Sequence, residues 1–404
     1  MPQINGARLL ADLYALRQMG MYKTCVHRPT LSPDDIKSRN WLAGKLTEAG
    51  LTAEIDGIAN VFGFDPAPGR KVLIGSHLET QPRSGWLDGA MGVIYGLEAA
   101  RVLGSGVDVA AWCDEEGHFG SFPGSRSFCG LVTEAEIDGM RRREDGVTMR
   151  DALAHAGWAG RDRRRADPRR YIGYLEAHIE QGAELELTGD KIGIVTAIVG
   201  SHRFRIVFEG TQNHAGTTRM ARRRDAGAAL VRLANAINER FPAIAHERTV
   251  WTTGQITLDP GAPSIVPGGA EMVFQFRDTD AAMLTRLDAE LRLLVEDANK
   301  GPCRVSLVTT GTTAPAAMDG GFQDALAASA AHHAAGRFQR MPSGAGHDAQ
   351  VLAGIMRSGM LFVPSIGGIS HHYDENTNDE DLVLGCQVFV DAVAAVLTKG
   401  QVVS

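Results

Sequence analysis

The sequence predicts an α/β protein, and the stretch from Lys71 to Gly117 is the first reason. An apolar strand begins at Lys71, an apolar segment of helical length follows Asp88, and a second apolar strand runs from Val107 to Cys113. This order is typical of a βαβ unit. The first strand leads to His77 and the second to a run of acids. Ligands in such folds bind at the carboxyl ends of parallel strands, so we expect these residues to meet.

A second pattern begins near Ala197. From His202 onward the periodicity reads strand, helix, strand, strand, helix, strand, the order of a ferredoxin-like βαββαβ unit. The α/β pattern returns after about Gly311. We therefore predict a larger, discontinuous domain of residues 1–197 and 312–404 with a mixed, mostly parallel sheet, interrupted by a smaller domain of residues 198–311. A length of 404 residues suits two domains better than one.

Composition narrows the functional classes. The chain is 44% hydrophobic and 22% charged, and no apolar run approaches the length that spans a bilayer. A net charge of −7 without a basic, aromatic-rich stripe argues against nucleic acid as a partner. Five cysteines without CxxC spacing argue against a disulfide framework and a thiolate zinc site. Any metal must therefore be held by histidine and carboxylate.

The flanking elements follow from local signals. The first twenty residues predict an amphipathic helix without the features of a signal peptide, so we expect a cytoplasmic protein with no membrane association. A second helix should begin at Ser32-Pro33 and end at Gly50, followed by two short strands. Beyond Gly311 we predict a helix from Gln323 to Gly336, a strand MLFVPSI and a last helix from Asp379 to about Leu397.

The segment from Arg141 to Arg170 is rich in arginine. Acids interrupt the run and no aromatic residues accompany it, so a solvated surface is favoured over a binding patch.

Five of the thirteen histidines lie in glycine-rich or acidic turns at the ends of predicted strands: His77, His178, His214, His347 and His371. Any one alone would more often be structural. Together with Asp88 and the pair Glu115-Glu116 they favour a metal site, because imidazole and carboxylate suit zinc, manganese, cobalt or nickel. An NAD-binding domain is disfavoured, since no GxGxxG follows an early strand.

Six segments in order resemble the hydantoinase/carbamoylase family of amidohydrolases: GSHLETQPRSGWLDGAMGV, DEEGHFGSFPGSRSFCG, EAHIEQG, NHAGTTRM, SGAGHDA and ISHHYDE. This family includes N-carbamoyl-L-amino acid hydrolases, beta-ureidopropionases and allantoate amidohydrolases, and is related to di-zinc aminoacylases and carboxypeptidase G-type peptidases. The resemblance runs from Ile4 to about Ala395. It implies a di-metal peptidase-like catalytic domain, a lid or dimerisation domain, and a homodimer.

The resemblance also implies roles for individual residues. Two divalent ions, most often zinc, would share Asp88, with His77 and His178 completing one site and Glu116 and His371 the other. Glu115 would be the general base and later proton donor. Gln181, His214, Arg277 and His347 fall on positions that hold the substrate's amide or ureido oxygen and its carboxylate. A guanidinium suits a carboxylate because it donates two parallel hydrogen bonds.

Three residues depart from the family pattern. Glu79 replaces an aspartate and is expected to orient His77 as a carboxylate one methylene longer. Ser264 replaces an asparagine that helps to bind the substrate carboxylate, and Arg219 replaces a proline. These departures bear on the substrate more than on the reaction.

The predicted function is metal-dependent hydrolysis of a linear amide or ureido bond in a small N-substituted amino acid. The first candidate is an N-carbamoyl amino acid of L or β type; allantoate or another ureido acid is next, then an N-acyl amino acid or dipeptide. From another class, a dimeric binding protein that has lost the chemistry stays open, and a metal assay would distinguish it.

Overall fold

The computed structural model describes residues 2–401 and divides into two compact units. The first comprises Met1–Ala197 and Ala317–Ser404, and the second comprises Ile198–Ala316. The boundary expected after Gly311 lies inside a strand that continues to Thr313, because that strand stays paired with its neighbour to its end.

The strands, in chain order, are β1 (Met21–Tyr22), β2 (Cys25–Val26), β3 (Thr52–Ile55), β4 (Val61–Phe64), β5 (Lys71–His77), β6 (Val107–Trp112), β7 (Tyr171–Ile179), β8 (Ile192–Ile198), β9 (Gly200–Glu209), β10 (Asn213–His214), β11 (Val250–Asp259), β12 (Ile265–Val266), β13 (Gly269–Asp278), β14 (Arg304–Thr313), β15 (Ala316–Ala317), β16 (Phe338–Ser343) and β17 (Ser358–Val363).

The α-helices are α1 (Gly6–Arg17), α2 (Pro33–Glu48), α3 (Ala90–Leu103), α4 (Pro123–Phe128), α5 (Glu134–Gly139), α6 (Met149–His155), α7 (Glu184–Thr188), α8 (Ala226–Arg240), α9 (Ala281–Ala298), α10 (Gly320–His333), α11 (Asp348–Leu352) and α12 (Asp379–Gln401). Short 3-10 turns occupy Met220–Arg222, Phe241–Ala243 and Ile366–Gly368.

The first unit is built on a nine-stranded sheet in the order β15-β8-β17-β7-β5-β6-β4-β3, with β16 paired to β8. The four central strands β17, β7, β5 and β6 are parallel, and antiparallel pairs flank them on both sides. The unit therefore has the predicted mixed α/β architecture with a parallel centre.

The register of the parallel strands explains where the candidate residues lie. His77 is the last residue of β5 and pairs with Trp112, the last residue of β6. His178 lies one residue before the end of β7 and pairs with Phe362 of β17. The carboxyl ends of these strands therefore share one edge, and the acids that follow β6 emerge beside both histidines.

Helix α3 packs against β5, β6 and β7 and is buried from Ala90 to Ala100. Its close approach depends on Gly92, where an added Cβ would lie 2.2 Å from the backbone oxygen of Ala177. Such a distance is far inside van der Waals contact, so a side chain there would push the helix from the sheet.

The last helix, α12, is long and apolar enough from Asp379 to Lys399 to cross a bilayer. No apolar run of that length was expected from the sequence. That stretch is 67% buried within the protein, where α12 packs on α3, α10 and β17. Burial inside the fold accounts for its composition, as for other core helices.

The arginine-rich segment carries ion pairs at its surface. Arg150 pairs with Glu134 and Asp138, Arg142 with Asp145, and Arg164 with Glu54. These pairs explain how so many cations share one surface region without mutual repulsion.

The second unit has a four-stranded antiparallel sheet in the order β11-β13-β9-β14. Helices α8 and α9 pack on β9 and β13. Their caps are Asp225 and Asp280, each of which accepts a hydrogen bond from a backbone N–H of the first turn. Strand β11 lies at one edge and is exposed along nearly all of its length.

Candidate functional site

Asp88 lies at the centre of the candidate site in the first unit. Its carboxylate oxygens lie 3.1 Å from Nε2 of His178, 3.1 Å from Nε2 of His371 and 3.6 Å from Nε2 of His77. The turn that carries it requires Gly89, which has φ +67°, because a Cβ there would lie 2.3 Å from the His77 ring. One carboxylate therefore faces three imidazoles.

Backbone carbonyls select the tautomers of the two buried histidines. Nδ1 of His77 lies 3.0 Å from the oxygen of Glu79, and Nδ1 of His178 lies 2.9 Å from the oxygen of Ile179. A carbonyl accepts only, so in the neutral form of each ring the proton sits on Nδ1 and Nε2 carries the lone pair that a metal ion would bind. This is the form in which a histidine binds a metal.

Asp114 shapes the loop that follows β6. It has a left-handed backbone with φ +64°, and its carboxylate accepts hydrogen bonds from the N–H groups of His118, Phe119 and Gly120 at 2.7–2.9 Å. The two acids that follow diverge, since Glu115 Oε2 lies 3.7 Å from Nε2 of His77.

Glu116 turns the other way, with Oε2 at 3.7 Å from Nε2 of His371. Gln81 holds it there, because its backbone N–H and its side-chain amide donate to the two carboxylate oxygens of Glu116 at 3.0 and 2.8 Å. Sequence reasoning missed Gln81. The only signal was its place four residues after His77 in the same motif.

Gln181 reaches into the same cluster. Its side-chain amide donates to Asp88 Oδ2 at 3.0 Å and lies 3.4 Å from Nε2 of His371. Gln181 and His371 both have left-handed backbone, with φ +58° and +53°. Such conformations cost free energy in residues other than glycine and concentrate at functional sites.

Glu79 does not act on His77 in the way expected. Its carboxylate lies 3.9 Å from Nδ1 of His77, which instead faces the Glu79 backbone oxygen. The carboxylate accepts from the guanidinium of Arg39 at 2.6 Å and from the backbone N–H of Glu115 at 2.7 Å. The Glu79 carboxylate therefore ties the Glu115 loop to Arg39. Arg39 also pairs with Asp35, and all three side chains are fully buried.

Buried carboxylates and histidines shift one another's pKa at the site. Burial, partly offset by His77, raises the pKa of Glu115 well above its usual value, and burial with the nearby Asp88 charge also raises the pKa of Glu116. The hydrogen bond to Asp88 raises the pKa of His371 to about 9. Several carboxylates held this close to one another and to histidines fit a site in which a cation would take the place of the imidazole protons.

The donor set fits divalent metal. Potential ligand atoms of His77, Asp88 and His178 all lie within 4.8 Å of one another, as do those of Asp88, Glu116 and His371. Asp88 belongs to both groups, which is the arrangement of a paired site with a shared carboxylate. Glu176, His178 and His347 form a third such group among the described residues.

His347 lies in this region but is only 2% exposed. Its ring packs edge-on against His178, with centroids 4.5 Å apart, and its Nε2 lies 2.9 Å from Oγ of Ser343. Burial and the nearby His178 lower its pKa well below the usual value. The contacts of His347 are therefore those of a neutral side chain that supports His178.

The remaining predicted residues lie in the second unit. His214 is exposed in β10 and pairs with Ile265, next to Ser264, whose backbone oxygen accepts from the N–H of Ala215 at 2.9 Å. Arg277 lies near the far end of β13, eight residues from its start at Gly269. Burial, with the charge of Arg203, lowers the Arg277 pKa. Arg219 is exposed just before a short 3-10 turn.

Comparisons with known proteins agree with this geometry. Residues 73–395 match the family described as Peptidase family M20/M25/M40, and the chain belongs to that family, whose members are metal-dependent. A solved amidase of the hydantoinase/carbamoylase family from Burkholderia phymatum is 47% identical, with a TM-score of 0.92 and 99% of each chain covered.

Curated relatives carry more specific names. An N-carbamoyl-L-amino-acid amidohydrolase of Paenarthrobacter aurescens is 33% identical over 391 residues, covering 92% of this chain and 93% of the relative. An allantoate amidohydrolase of Bacillus subtilis (strain 168) is 31% identical over 363 residues, covering 86% and 87%. The family predicted from the motifs is confirmed, and so is the prediction of an amidohydrolase.

Proposed function

We propose that this protein hydrolyses the linear ureido bond of an N-carbamoyl amino acid and releases the amino acid, carbon dioxide and ammonia. The observation that carries the proposal is the pair of ligand groups that share Asp88, with Glu115 beside them. The names of two relatives favour a ureido substrate, and that of the allantoate amidohydrolase keeps allantoate as the second candidate.

Two divalent ions would be held by this chain, most often zinc, with manganese, cobalt or nickel as alternatives. His77, Asp88 and His178 would hold one, and Asp88, Glu116 and His371 the other. When bound, such a pair supplies Lewis-acid polarisation of the scissile carbonyl and a water of lowered pKa.

Glu115 would take the proton of the attacking water and later deliver it to the leaving nitrogen. Its carboxylate lies 3.7 Å from Nε2 of His77, whereas the carboxylate of Glu116 accepts a hydrogen bond from Gln81. Burial raises its pKa, which brings a carboxylate closer to the range in which it can both accept and return a proton near neutral pH.

His214 would stabilise the oxyanion. Its Nδ1 accepts hydrogen bonds from the backbone N–H groups of Gly216 at 3.0 Å and Thr217 at 3.3 Å. The ring proton of the neutral form must then be on Nε2, which makes the exposed end of the ring a hydrogen-bond donor. A donor is what a developing negative oxygen requires.

The substrate carboxylate would be bound by Arg277, with Ser264 in a supporting role and Gln181 contacting the amide or ureido group. Eight residues of β13 separate Arg277 from Gly269, a span of about 26 Å at strand geometry. His214 and Ser264 lie on the Gly269 side, since Gly268 accepts from the N–H of Gly210. One small substrate cannot contact both ends.

The separation favours a homodimer in which the second unit is a ferredoxin-like lid and dimerisation domain. Arg277 would then serve one site and His214 the site of the partner. The exposed edge strand β11 offers a surface for a second copy, with Val250, Ile256 and Leu258 each 42–53% exposed. Unpaired strand edges are places where another chain can add hydrogen bonds.

A substrate panel with ammonia detection tests the proposed function. N-carbamoyl-L-amino acids, N-carbamoyl-β-alanine, allantoate, N-acetyl amino acids and dipeptides would be compared by kcat/KM, with amine detection for the last two. We expect ureido acids to exceed N-acyl compounds by at least roughly tenfold, about 1.4 kcal/mol in transition-state binding. Hydrolysis of acyl compounds or dipeptides alone would contradict the proposal.

A further inference from the structure

A buried glutamate outside the predicted site joins the two loops that carry Asp88 and His371. Glu375 is 2% exposed. Its Oε1 accepts from the backbone N–H groups of Leu87 and Asp88, both at 3.2 Å, and its Oε2 accepts from the hydroxyl of Ser370 at 2.9 Å. Each carboxylate oxygen therefore serves a different loop.

The structure leaves room for this side chain at Gly85. A Cβ at that position would lie 1.8 Å from both Cδ and Oε1 of Glu375. Gly85 does not have the left-handed backbone that favours glycine. Space for Glu375, rather than backbone conformation, is what requires the glycine.

The candidate metal ligands differ in how firmly the rest of the fold fixes them. His77 and His178 lie on the central strands β5 and β7. His371 lies in the loop before α12, and its side chain is 49% exposed. Strand residues are held by ladder hydrogen bonds on both sides, whereas a loop residue depends on a few local contacts. The hydrogen bond from Ser370, which precedes His371, to Glu375 is one of those local contacts.

We propose that Glu375 is a positioning residue that sets His371 against Asp88 and so forms the second metal group, that of Asp88, Glu116 and His371. This inference rests on the proposed metal-binding function for the identity of the ligands. The hydrogen bonds of Glu375 to Leu87, Asp88 and Ser370, here called the anchor, are a property of the metal-free chain. Partners that orient metal ligands typically contribute 10- to 100-fold to metal affinity.

The test compares Glu375→Ala, Glu375→Gln and Gly85→Ala with the wild type. Asp374→Asn is the matched control, because this neighbouring carboxylate is exposed and lies 3.8 Å from Nδ1 of His372. Metal-free proteins would be titrated with Zn²⁺, and amide hydrogen exchange at Leu87 and Asp88 would be measured without metal.

We expect Glu375→Ala and Gly85→Ala to weaken the second Zn²⁺ by roughly 10- to 100-fold, while the first changes less than about threefold. Exchange at the two amides should accelerate in both variants. Glu375→Gln keeps an acceptor oxygen, so the backbone amides of Leu87 and Asp88 should stay protected from exchange. Asp374→Asn should match the wild type in zinc affinity and in exchange. If Glu375→Ala does not fold, Gly85→Ala and Glu375→Gln carry the same comparison.

Wild-type zinc affinities and unchanged exchange in Gly85→Ala and Glu375→Ala would overturn the proposal. Equal weakening of both zinc ions would also overturn it, since Glu375 would then support the fold rather than one group. If the wild type bound fewer than two ions, the proposed metal pair would fail. Accelerated exchange in the metal-free variants would still verify the anchor.

Discussion

At the carboxyl end of β5, a single side chain, Asp88, faces the imidazoles of three histidines that are far apart in sequence. His77 and His178 could be predicted because each lies at the end of an apolar strand, and parallel strands end at one edge. Asp88 and His371 lie in the loops that follow β5 and β17. The clustering thus follows from strand order more than from any individual motif.

The supporting residues could not be predicted in the same way. Glu375 contacts Leu87 across 288 positions of the chain, and Arg39 contacts Glu79 across 40. No local pattern encodes such contacts. For Glu79 the motif indicated a carboxylate that orients His77, whereas its backbone oxygen faces His77 and its carboxylate binds the Glu115 backbone.

Arg277 is the residue for which substrate binding can be tested most simply. Replacing it with Ala should raise KM for a substrate with a free carboxylate. The corresponding loss of binding free energy should be about 1.5–3 kcal/mol, the range for a hydrogen bond to a charged group. Arg277→Lys should recover part of this, since it keeps the charge but loses the planar fork. Steady-state kinetics would measure both.

Arg205→Ala is the matched control for Arg277, because Arg205 lies on the neighbouring strand β9 and pairs with Glu271 at the surface. It should leave KM unchanged. An amidated substrate should not distinguish Arg277→Ala from the wild type. An unchanged KM for the free acid in Arg277→Ala would assign carboxylate binding to another residue.

Among the elements, α3 was the most predictable, since it is apolar on nearly every face and follows the turn that carries Asp88 and Gly89. Strand β16 was not predicted. Its sequence FQRMPS contains Pro342, which cannot donate to a ladder, and three polar residues, so it lacks the alternation of a half-buried strand. It pairs with β8 alone, off the main path of the sheet, where propensity matters less than packing.

Replacing two helix glycines with alanine should change the free energy of unfolding in opposite directions. Gly92→Ala should lower the free energy of unfolding by about 1–3 kcal/mol, because its Cβ would meet the Ala177 backbone. Gly44→Ala, at an exposed position of α2 where an added Cβ would have no atom within 4 Å, should raise it by about 0.5–1 kcal/mol. Urea denaturation measures both. A Gly92→Ala variant as stable as Gly44→Ala would refute the close packing of α3 on the sheet.

For the whole molecule, length and periodicity predicted an inserted unit, and the structure contains a compact unit at Ile198–Ala316. Its end was harder to place, since β14 continues past Gly311 only because β9 remains beside it. Assembly of two copies stays a prediction. It is supported by the distance along β13 between Arg277 and the Gly269 end, near His214, and by the exposed edge strand β11.

Mixing two inactive variants tests that assembly. Glu115→Gln and His214→Ala should each lose most activity alone. If His214 acts on the partner's site, exchange of subunits gives heterodimers with one site that has both residues. Random mixing would restore roughly a quarter of wild-type activity, since half of the dimers are mixed.

The control for this experiment mixes Glu115→Gln with Asp88→Ala. Both residues lie in the first unit, so a mixed dimer has no intact site and should stay inactive. Verified heterodimers of Glu115→Gln and His214→Ala without activity would contradict the assignment of His214 to the partner's site.

The most direct test of the central claim is ammonia release from an N-carbamoyl-L-amino acid by one preparation that is chelated and then reloaded with Zn²⁺, Mn²⁺ or Co²⁺. We expect chelation to abolish turnover and reloading to restore it. Glu115→Gln should bind metal as the wild type does yet lose roughly 10²- to 10⁴-fold in kcat, the usual share of a general base. Full turnover by protein verified to be metal-free, or by metal-loaded Glu115→Gln, would contradict the account.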